Sequence, residues 1–289
     1  EELPTIRTME TSITDFAERI AATVATEHAQ AGETLQQQIG HLIEQLESRE
    51  TPETFGTGIP ALDAHLQGGF TRKELGVIAA ETGGGKSILL AMAGLDAAIN
   101  GKSVLLFTLE MPAPDILKRM AANLAGVPIK GVTDKPTPKD VDRTSNALIR
   151  LMGMPITIID RMASLADIIA ESRRMARLGK ADLIIVDYLQ LIENGTADNR
   201  EQAVSGSAQA LKNLALTSNS IVLTASQLNE DQRLRESRAI GHHADSVLMI
   251  GDDKITVAKQ RRGPRDLSVN VTMRGDIARL EHREGQSKP

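Results

Sequence analysis

The residues best placed to do chemistry begin with Ala80-Glu81-Thr82-Gly83-Gly84-Gly85-Lys86-Ser87. They follow the apolar run Leu75 to Ala79 and lead into Ile88-Leu89-Leu90-Ala91-Met92. Strand, glycine-rich turn, then helix is the setting that a phosphate-binding P-loop needs. Glycines let backbone N–H groups turn inward around an anion, and the helix N-terminus adds partial positive charge. In this reading Thr82, Gly83, Gly84, Gly85, Lys86 and Ser87 bind a nucleoside triphosphate. Lys86 faces the β- and γ-phosphates, and the Ser87 hydroxyl ligates Mg²⁺. The usual pattern opens with Gly, and that position here is Ala80. The plain alternative is a flexible glycine loop before a helix, which needs Gly-Lys-Ser to fall at a strand-to-helix junction by accident.

Binding becomes hydrolysis when two carboxylates join the phosphate site, one to position the metal and one to orient the attacking water. Ala181-Asp182-Leu183-Ile184-Ile185-Val186-Asp187-Tyr188 supplies the first, because four apolar strand residues deliver Asp187 to the C-terminal edge of a sheet. Ser87 and Asp187 are thus the expected metal-holding residues. Asp182 enters the same strand from its other end and reads as a solvated start residue. The second acid is Glu110, at the end of Val104-Leu105-Leu106-Phe107-Thr108-Leu109, again beside the crevice of an open α/β sheet. Alone, an acid ending a strand is more often a solvated loop residue. Combined with the P-loop and Asp187, Glu110 becomes the candidate catalytic carboxylate. His242 and His243 do not make a metal site, since adjacent residues on a helix do not share a face.

Positioning these groups requires a particular framework. Runs at Leu75–Ala79, Ser103–Thr108, Ile156–Ile159, Leu183–Val186 and Ile221–Ala225 read as buried strands. Between them, Ile88–Asn100, Pro114–Ala125, Pro138–Met152, Leu165–Leu178 and Glu201–Ser218 read as helices. Near-continuous apolar strands alternating with helices imply a parallel sheet covered on both faces. After Ser246–Ile250 the pattern becomes alternating, through Ile255 and Val257 and then Leu267, Val269 and Val271, around a turn at Arg262-Gly263-Pro264-Arg265. That predicts an antiparallel hairpin at one edge. Residues 12 to 49 read as two helices, one striped by Phe16, Ile20 and Val24, the other by Leu35, Ile39, Leu42, Ile43 and Leu46. The stripes permit either helices folded on the core or an arm docked on another subunit. Thr51 to Gly58 reads as a linker, giving a helical segment over 1–51 and an α/β domain over 52–289.

Composition narrows the classes further. The chain has 289 residues, 41% hydrophobic and 25% charged, enough for one large domain plus an appendage. Its net charge of −5 gives no global electrostatic case for nucleic-acid binding, so any such contact needs a local patch. Aromatics are 2% of residues, which disfavours a stacking platform for bases. No apolar stretch approaches a membrane span, the N-terminus has no secretory pattern, and cysteine is absent. A cytoplasmic protein without a membrane partner is expected. A start at Glu1 reads as a trimmed piece of a longer chain.

Further motifs in order make the reading specific. They are Gly58-Ile59-Pro60-Ala61-Leu62-Asp63, Gly68-Gly69-Phe70, the P-loop, Thr108-Leu109-Glu110-Met111, Val186-Asp187-Tyr188-Leu189-Gln190-Leu191-Ile192, and Asn199-Arg200-Glu201-Gln202. Then come Ser226-Gln227-Leu228-Asn229, Leu234-Arg235-Glu236-Ser237 and Lys259-Gln260-Arg261-Arg262-Gly263-Pro264. Over roughly residues 50 to 280 the chain resembles the C-terminal RecA-like ATPase domain of DnaB-type replicative helicases. The Asp-Tyr-Leu-Gln-Leu and Lys-Gln-Arg-x-Gly-Pro strings carry most of that specificity.

The resemblance implies an α/β fold with a RecA-like P-loop core, a mostly parallel sheet with an antiparallel edge hairpin, and a short helical segment in front. It implies ATP and Mg²⁺ as ligands, with Lys86, Glu110, Gln227, Lys259 and Arg261 as the hydrolytic set. Gln227 resembles the γ-phosphate sensor, while Lys259 and Arg261 resemble finger residues that reach the neighbouring subunit's nucleotide. Without the resemblance, those two cations read as an exposed basic hairpin that protects a sheet edge. Arg235, Glu236 and Arg238 match the loop that grips single-stranded DNA, although the family usually has Gly where Arg238 stands. The segments between Asn229 and Leu234 and between Ile250 and Ile255 are shorter than usual. Residues 34 to 49 resemble the linker helix that docks on an adjacent subunit. The implied partners are single-stranded DNA, further copies of the chain in a hexameric ring, and a helicase loader and primase. Two alternatives stay open: a RecA-like recombination or regulatory ATPase that does not unwind processively, and a subunit that uses nucleotide only to stabilise an assembly.

Overall fold

The computed structural model describes residues 35–48, 53–134, 136–161, 164–187, 200–227 and 242–283. The chain divides into two compact units, residues 1–52 and 53–289. In the first, helix α1 (Leu35–Ser48) carries Leu35, Ile39 and Ile43 as an exposed apolar stripe at four-residue spacing. The predicted helix around Phe16, Ile20 and Val24 lies outside the described residues.

The second unit opens with β1 (Thr54–Phe55), α2 (Pro60–His65) and β2 (Phe70–Thr71), the two strands pairing as a small antiparallel sheet. Part of the predicted linker is therefore structured. The main run follows as β3 (Leu75–Ala80), α3 (Lys86–Ile99), β4 (Val104–Thr108), α4 (Ala113–Ala125), α5 (Ile129–Thr133) and α6 (Pro138–Met152). It continues through β5 (Ile156–Ile159), α7 (Leu165–Arg177), β6 (Leu183–Asp187), α8 (Arg200–Ser218) and β7 (Ile221–Gln227). It closes with β8 (Ser246–Ile250), β9 (Lys254–Gln260), β10 (Leu267–Arg274), a 3₁₀ turn at Gly275–Ile277 and β11 (Arg279–His282).

These strands form one nine-stranded sheet in the order β5-β4-β6-β7-β3-β8-β9-β10-β11. Neighbours from β5 to β8 are parallel, and β8 to β11 form an antiparallel meander. Successive residues of a strand point to opposite faces, so each parallel strand needs two apolar sets. Val104, Leu106, Leu183 and Ile185 pack with Leu89 and Leu90 of α3 and with Ile116 and Met120 of α4. Leu105, Phe107, Ile184 and Val186 pack on the other face with Ile168 and Met175 of α7 and with Val204, Ala208 and Leu211 of α8. Both faces are covered, which is why the strands read as continuous apolar runs.

The sheet extends the predicted hairpin by one strand, β11, in which only Leu280 is buried. One local expectation is corrected. Asp182 is tied down rather than simply solvated: it accepts from the Ser103 amide at 2.9 Å and hydroxyl at 2.7 Å, and pairs with Arg72 at 2.7 Å. Burial alone would push its pKa up, but these donors hold the carboxyl below its ordinary range. Among the described residues, no helix is long and apolar enough to cross a membrane.

Candidate nucleotide site

The chemistry gathers where the parallel strands end. Strands β3 and β7 pair with Ala80 opposite Gln227, and β4 and β6 pair with Thr108 opposite Asp187. Because β7 and β6 are neighbours, the order β3-β7-β6-β4 sets the P-loop, Gln227, Asp187 and the bend after Thr108 side by side. The switch in strand order at β3 opens the crevice expected of such sheets.

The loop between β3 and α3 turns at Gly83 (φ 76°) and Gly85 (φ 92°), left-handed conformations that favour glycine. A side chain on Gly85 would also approach the Met273 Sδ to 3.2 Å. Helix α3 then starts at Lys86, two residues earlier than predicted, and its Gly85 N-cap supplies no side-chain acceptor. A 14-residue helix opening without a side-chain cap leaves its first N–H groups to serve an anion. The Lys86 Nζ donates to the carbonyls of Ala80 at 3.0 Å and Glu81 at 2.9 Å, which curls the side chain back over the loop.

Around this loop lies a cleft of about 330 Å³, lined by Lys86, Ser87, Glu110, Arg119, Asp187 and Gln227 among others. Strand β4 stops at Thr108, as predicted, where the Thr108 hydroxyl donates to the Met111 carbonyl at 2.6 Å and closes a bend. That bend leaves Glu110 exposed on the cleft. Asp187 is buried, and burial pushes its pKa up, with the nearby Glu110 adding to the rise; a hydrogen bond from Ser87 and the charges of Lys86 and Arg119 oppose it. Burial lowers the pKa of Lys86, against the pull of Asp187 and Glu110. Gln227 donates through Nε2 to the Thr82 hydroxyl at 2.6 Å, joining the end of β7 to the P-loop.

The cleft lining carries two cations and two carboxylates, hence no net formal charge. A triphosphate therefore needs additional positive charge. The Ser87–Asp187 pair suits Mg²⁺, which takes one or two protein oxygens and completes its octahedron with phosphate and water. Among the described residues no group of three or more His, Cys, Asp or Glu side chains could hold a metal ion. A second cleft of about 530 Å³ flanks the loop and is walled by Ile250, Val271, Met273 and Leu280 with Lys254 and Thr256. Its acids are Glu81 and Asp252, whereas Lys86, Ser87, Glu110 and Asp187 line the smaller cleft.

Arg119 and Met273 were not singled out from the sequence. The signal for Arg119 was slight: a cation next to the buried Met120, on the first helix after Glu110.

Lys259 and Arg261 are not brought to this cleft. Ser246 pairs with Gly76 on one side and Gln260 on the other, so the end of β9 lies at the start of β3. The six residues of β3 separate its two ends by about 17 Å, far beyond the reach of one side chain. The two cations are also not a simply solvated edge. Lys259 Nζ donates to the Ala244 carbonyl at 2.6 Å, and Arg261 Nη1 lies 3.4 Å from Asp245 Oδ1. Arg235, Glu236 and Arg238 lie outside the described residues, as does the run after Asp187.

A family model for the DnaB-like helicase C-terminal domain matches residues 54–286. Among curated proteins none matches the chain significantly in sequence. A structure described as the ATPase domain of G40P superposes with a TM-score of 0.78 at 23% identity, covering 88% of this chain and all of that one. A DnaB-like replicative helicase, described with its interactions with primase, superposes with a TM-score of 0.75 at 21% identity, covering 96% of this chain and 76% of the other. These likenesses carry the fold, a RecA-like ATPase core with a mostly parallel sheet. With the match spanning residues 54–286, the chain belongs to the family of DnaB-like helicase C-terminal domains.

Proposed function

We propose that this chain is the motor of a ring-forming replicative helicase, which hydrolyses ATP and moves along single-stranded DNA. The observation that carries the proposal is the separation of the two halves of the hydrolytic set. Lys86, Ser87, Glu110, Asp187 and Gln227 share one end of the sheet, while Lys259 and Arg261 stand at the other. A complete site then takes two copies, with the cleft of one facing the β9 end of the next. That requirement is met by a head-to-tail array of like subunits, which the proposal takes to close into a ring.

In this scheme Lys86 and the start of α3 hold the phosphates, and Glu110 orients the attacking water and takes its proton. Arg261 and Lys259 of the adjacent copy offset charge developing on the γ-phosphate. Mg²⁺, held through Ser87 and Asp187, supplies charge neutralisation and template geometry when bound. Gln227 reports on the phosphate end of the cleft and continues directly into the segment that contains Arg235, Glu236 and Arg238, the proposed DNA grip. That grip is through backbone phosphates and is sequence-independent. The flanking cleft has room for the nucleoside. Residues 1–51 serve as an arm docked on a neighbour, with the Leu35, Ile39 and Ile43 stripe as its contact face. Residues 52–289 form the motor domain. A loader and a primase are the expected protein partners, in a cytoplasmic setting.

The test combines particle size, hydrolysis and strand displacement. ATP with Mg²⁺ should shift the protein to a ring-sized species. Single-stranded DNA should stimulate turnover, and a tailed duplex should be unwound in an ATP-dependent way. Stimulated hydrolysis without displacement would support the recombination-type ATPase instead. Assembly without hydrolysis would support a nucleotide-stabilised scaffold.

A further inference from the structure

At the start of β3, opposite the phosphate end, one carboxylate organises a cluster of cations. Asp245 has a side chain only 5% exposed. Its Oδ2 accepts from the Leu75 amide at 2.8 Å and from Lys212 Nζ at 2.6 Å. Lys212 also donates to the Lys73 carbonyl at 2.8 Å, so this side of the carboxylate is anchored to the entry of β3 and to α8. The other oxygen, Oδ1, lies 3.4 Å from Arg261 Nη1. The main chain repeats the link: the Arg261 amide donates to the Asp245 carbonyl at 3.0 Å, and Lys259 Nζ donates to the carbonyl of Ala244 next door.

Arg261 stays 57% exposed despite this tether, so its guanidinium is held at one nitrogen and presented outward. The neighbouring Arg262 is turned away, donating to Glu74 at 2.6 Å and to the Gly69 carbonyl at 3.3 Å. Asp245 also supplies the negative charge that lets Lys212, Lys259 and Arg261 stand together. A planar guanidinium has donors enough to engage a carboxylate on one edge and a phosphate on the other.

We propose that Asp245 is a positioning residue for hydrolysis at the neighbouring subunit's site, fixing the outward aim of Arg261 through its Oδ1 oxygen. The inference rests on the reading of Arg261 as a finger that acts in trans. A finger must be held to within a fraction of an ångström, and a shift of about 1 Å can cost about a hundredfold in rate. Asp245 touches neither nucleotide nor water; it acts through Arg261.

The test must separate an effect on the finger from an effect on the β3 strand, since Asp245 contacts both. Asp245→Asn keeps the shape and loses the charge. Asp245→Ser keeps an acceptor for the Leu75 amide and withdraws the carboxylate from Arg261; either variant suffices if the other fails to fold. In homomeric assemblies each should lower kcat at least about tenfold, with nucleotide Kd within about twofold of wild type, as expected for a group outside the nucleotide cleft. Each is then mixed with Lys86→Ala subunits, under conditions where co-assembly is demonstrated. Hybrid interfaces pair the intact P-loop of the Asp245 variant with the intact, correctly held finger of the Lys86→Ala subunit, so activity should recover in part. Arg261→Ala mixed in the same way is the reference.

Recovery with Arg261→Ala but none with the Asp245 variants would overturn this inference alone, because the damage would lie in the variant's own β3 and P-loop. Failure of recovery with Arg261→Ala would overturn the finger reading itself. Loss of cooperative folding in both Asp245 variants would also overturn the inference, making the carboxylate a structural member of the β3–β8 junction.

Discussion

The two ends of the central strands are built by different physics. At the C-terminal end, β3, β7, β6 and β4 deliver the P-loop, Gln227, Asp187 and Glu110 to one cleft, whose walls include the glycine turn and the start of α3, which has no side-chain cap. At the N-terminal end the arrangement differs. There the organising elements are side-chain charges drawn from distant parts of the chain, with Asp245 meeting Lys212 and Arg261, and Glu74 meeting Arg262. The first end is a cleft shaped by local backbone geometry. The second is a set of cations held in place by buried acids. In the proposed function, binding belongs to the first end and control of turnover to the second.

Variants can break or sharpen this contrast, beginning with the largest effect. Lys86→Ala removes the cation of the binding end, and we expect hydrolysis to fall by about three orders of magnitude, with weaker nucleotide affinity. Turnover at the wild-type rate in a phosphate-release assay would remove the P-loop from the account. Glu110→Gln keeps size and hydrogen-bonding capacity while losing the charge that orients water. Turnover should drop by about two orders of magnitude with binding retained; a titration showing lost binding and a disrupted fold would make Glu110 structural.

At the other end, the adjacent arginines should separate cleanly. Arg262→Ala leaves Glu74, only 11% exposed, without its ion-pair partner and with the Thr71 amide as its remaining donor, and should cost about 2 kcal/mol of stability in a denaturant midpoint. Arg261→Ala, whose side chain is 57% exposed, should cost under about 0.5 kcal/mol in the same measurement. Equal costs would erase the distinction between a bolt and a presented finger.

Another modest effect concerns two neighbouring acids. Over Gly56, Asp63 and Asp96 come together; a Cβ on that glycine would lie 2.7 Å from Asp96 Oδ2 and 2.9 Å from Asp63 Oδ2. Burial pushes both carboxyls up, and Asp96 raises Asp63 further. A carboxyl with a raised folded-state pKa favours the native state when protonated, and that contribution is lost as pH rises through the folded value. Asp96→Asn should therefore raise Tm at neutral pH by about 1–3 °C. The gain should fade as pH falls through the raised carboxyl range, and its absence at pH 7 in a thermal melt would contradict the assignment.

Much of the C-terminal end was legible in the sequence because its signals are local. An apolar run, a glycine turn and Lys86-Ser87 occupy one short stretch, and Asp187 sits at the end of its own strand. The alternation from Ile255 to Val271 likewise exposed the edge hairpin, since burial on one face leaves a period of two. Elements with little apolar content were not legible. Strand β11 buries one leucine, β1 and β2 are two residues each, and α5 has five. The ionic network was opaque for a different reason. Asp245 meets the Leu75 amide across 170 positions and Arg262 meets Glu74 across 188, so nothing near either residue marks its partner. Asp182 was misread as solvated on the same ground, since its partners Ser103 and Arg72 are 79 and 110 positions away.

In the proposed function, one active site takes its binding half and its finger half from different copies of the chain. The most direct measurement is ATP turnover in mixtures of Lys86→Ala and Arg261→Ala subunits, with exchange verified by tagged co-purification. Each variant alone should turn over poorly. Mixed assemblies should recover a sizeable part of wild-type activity, peaking near equal proportions, because some interfaces then join an intact P-loop to an intact finger. Verified mixed assemblies with no more activity than the two variants apart would contradict a trans role and leave Arg261 as an exposed cation tethered to Asp245 at the end of β9.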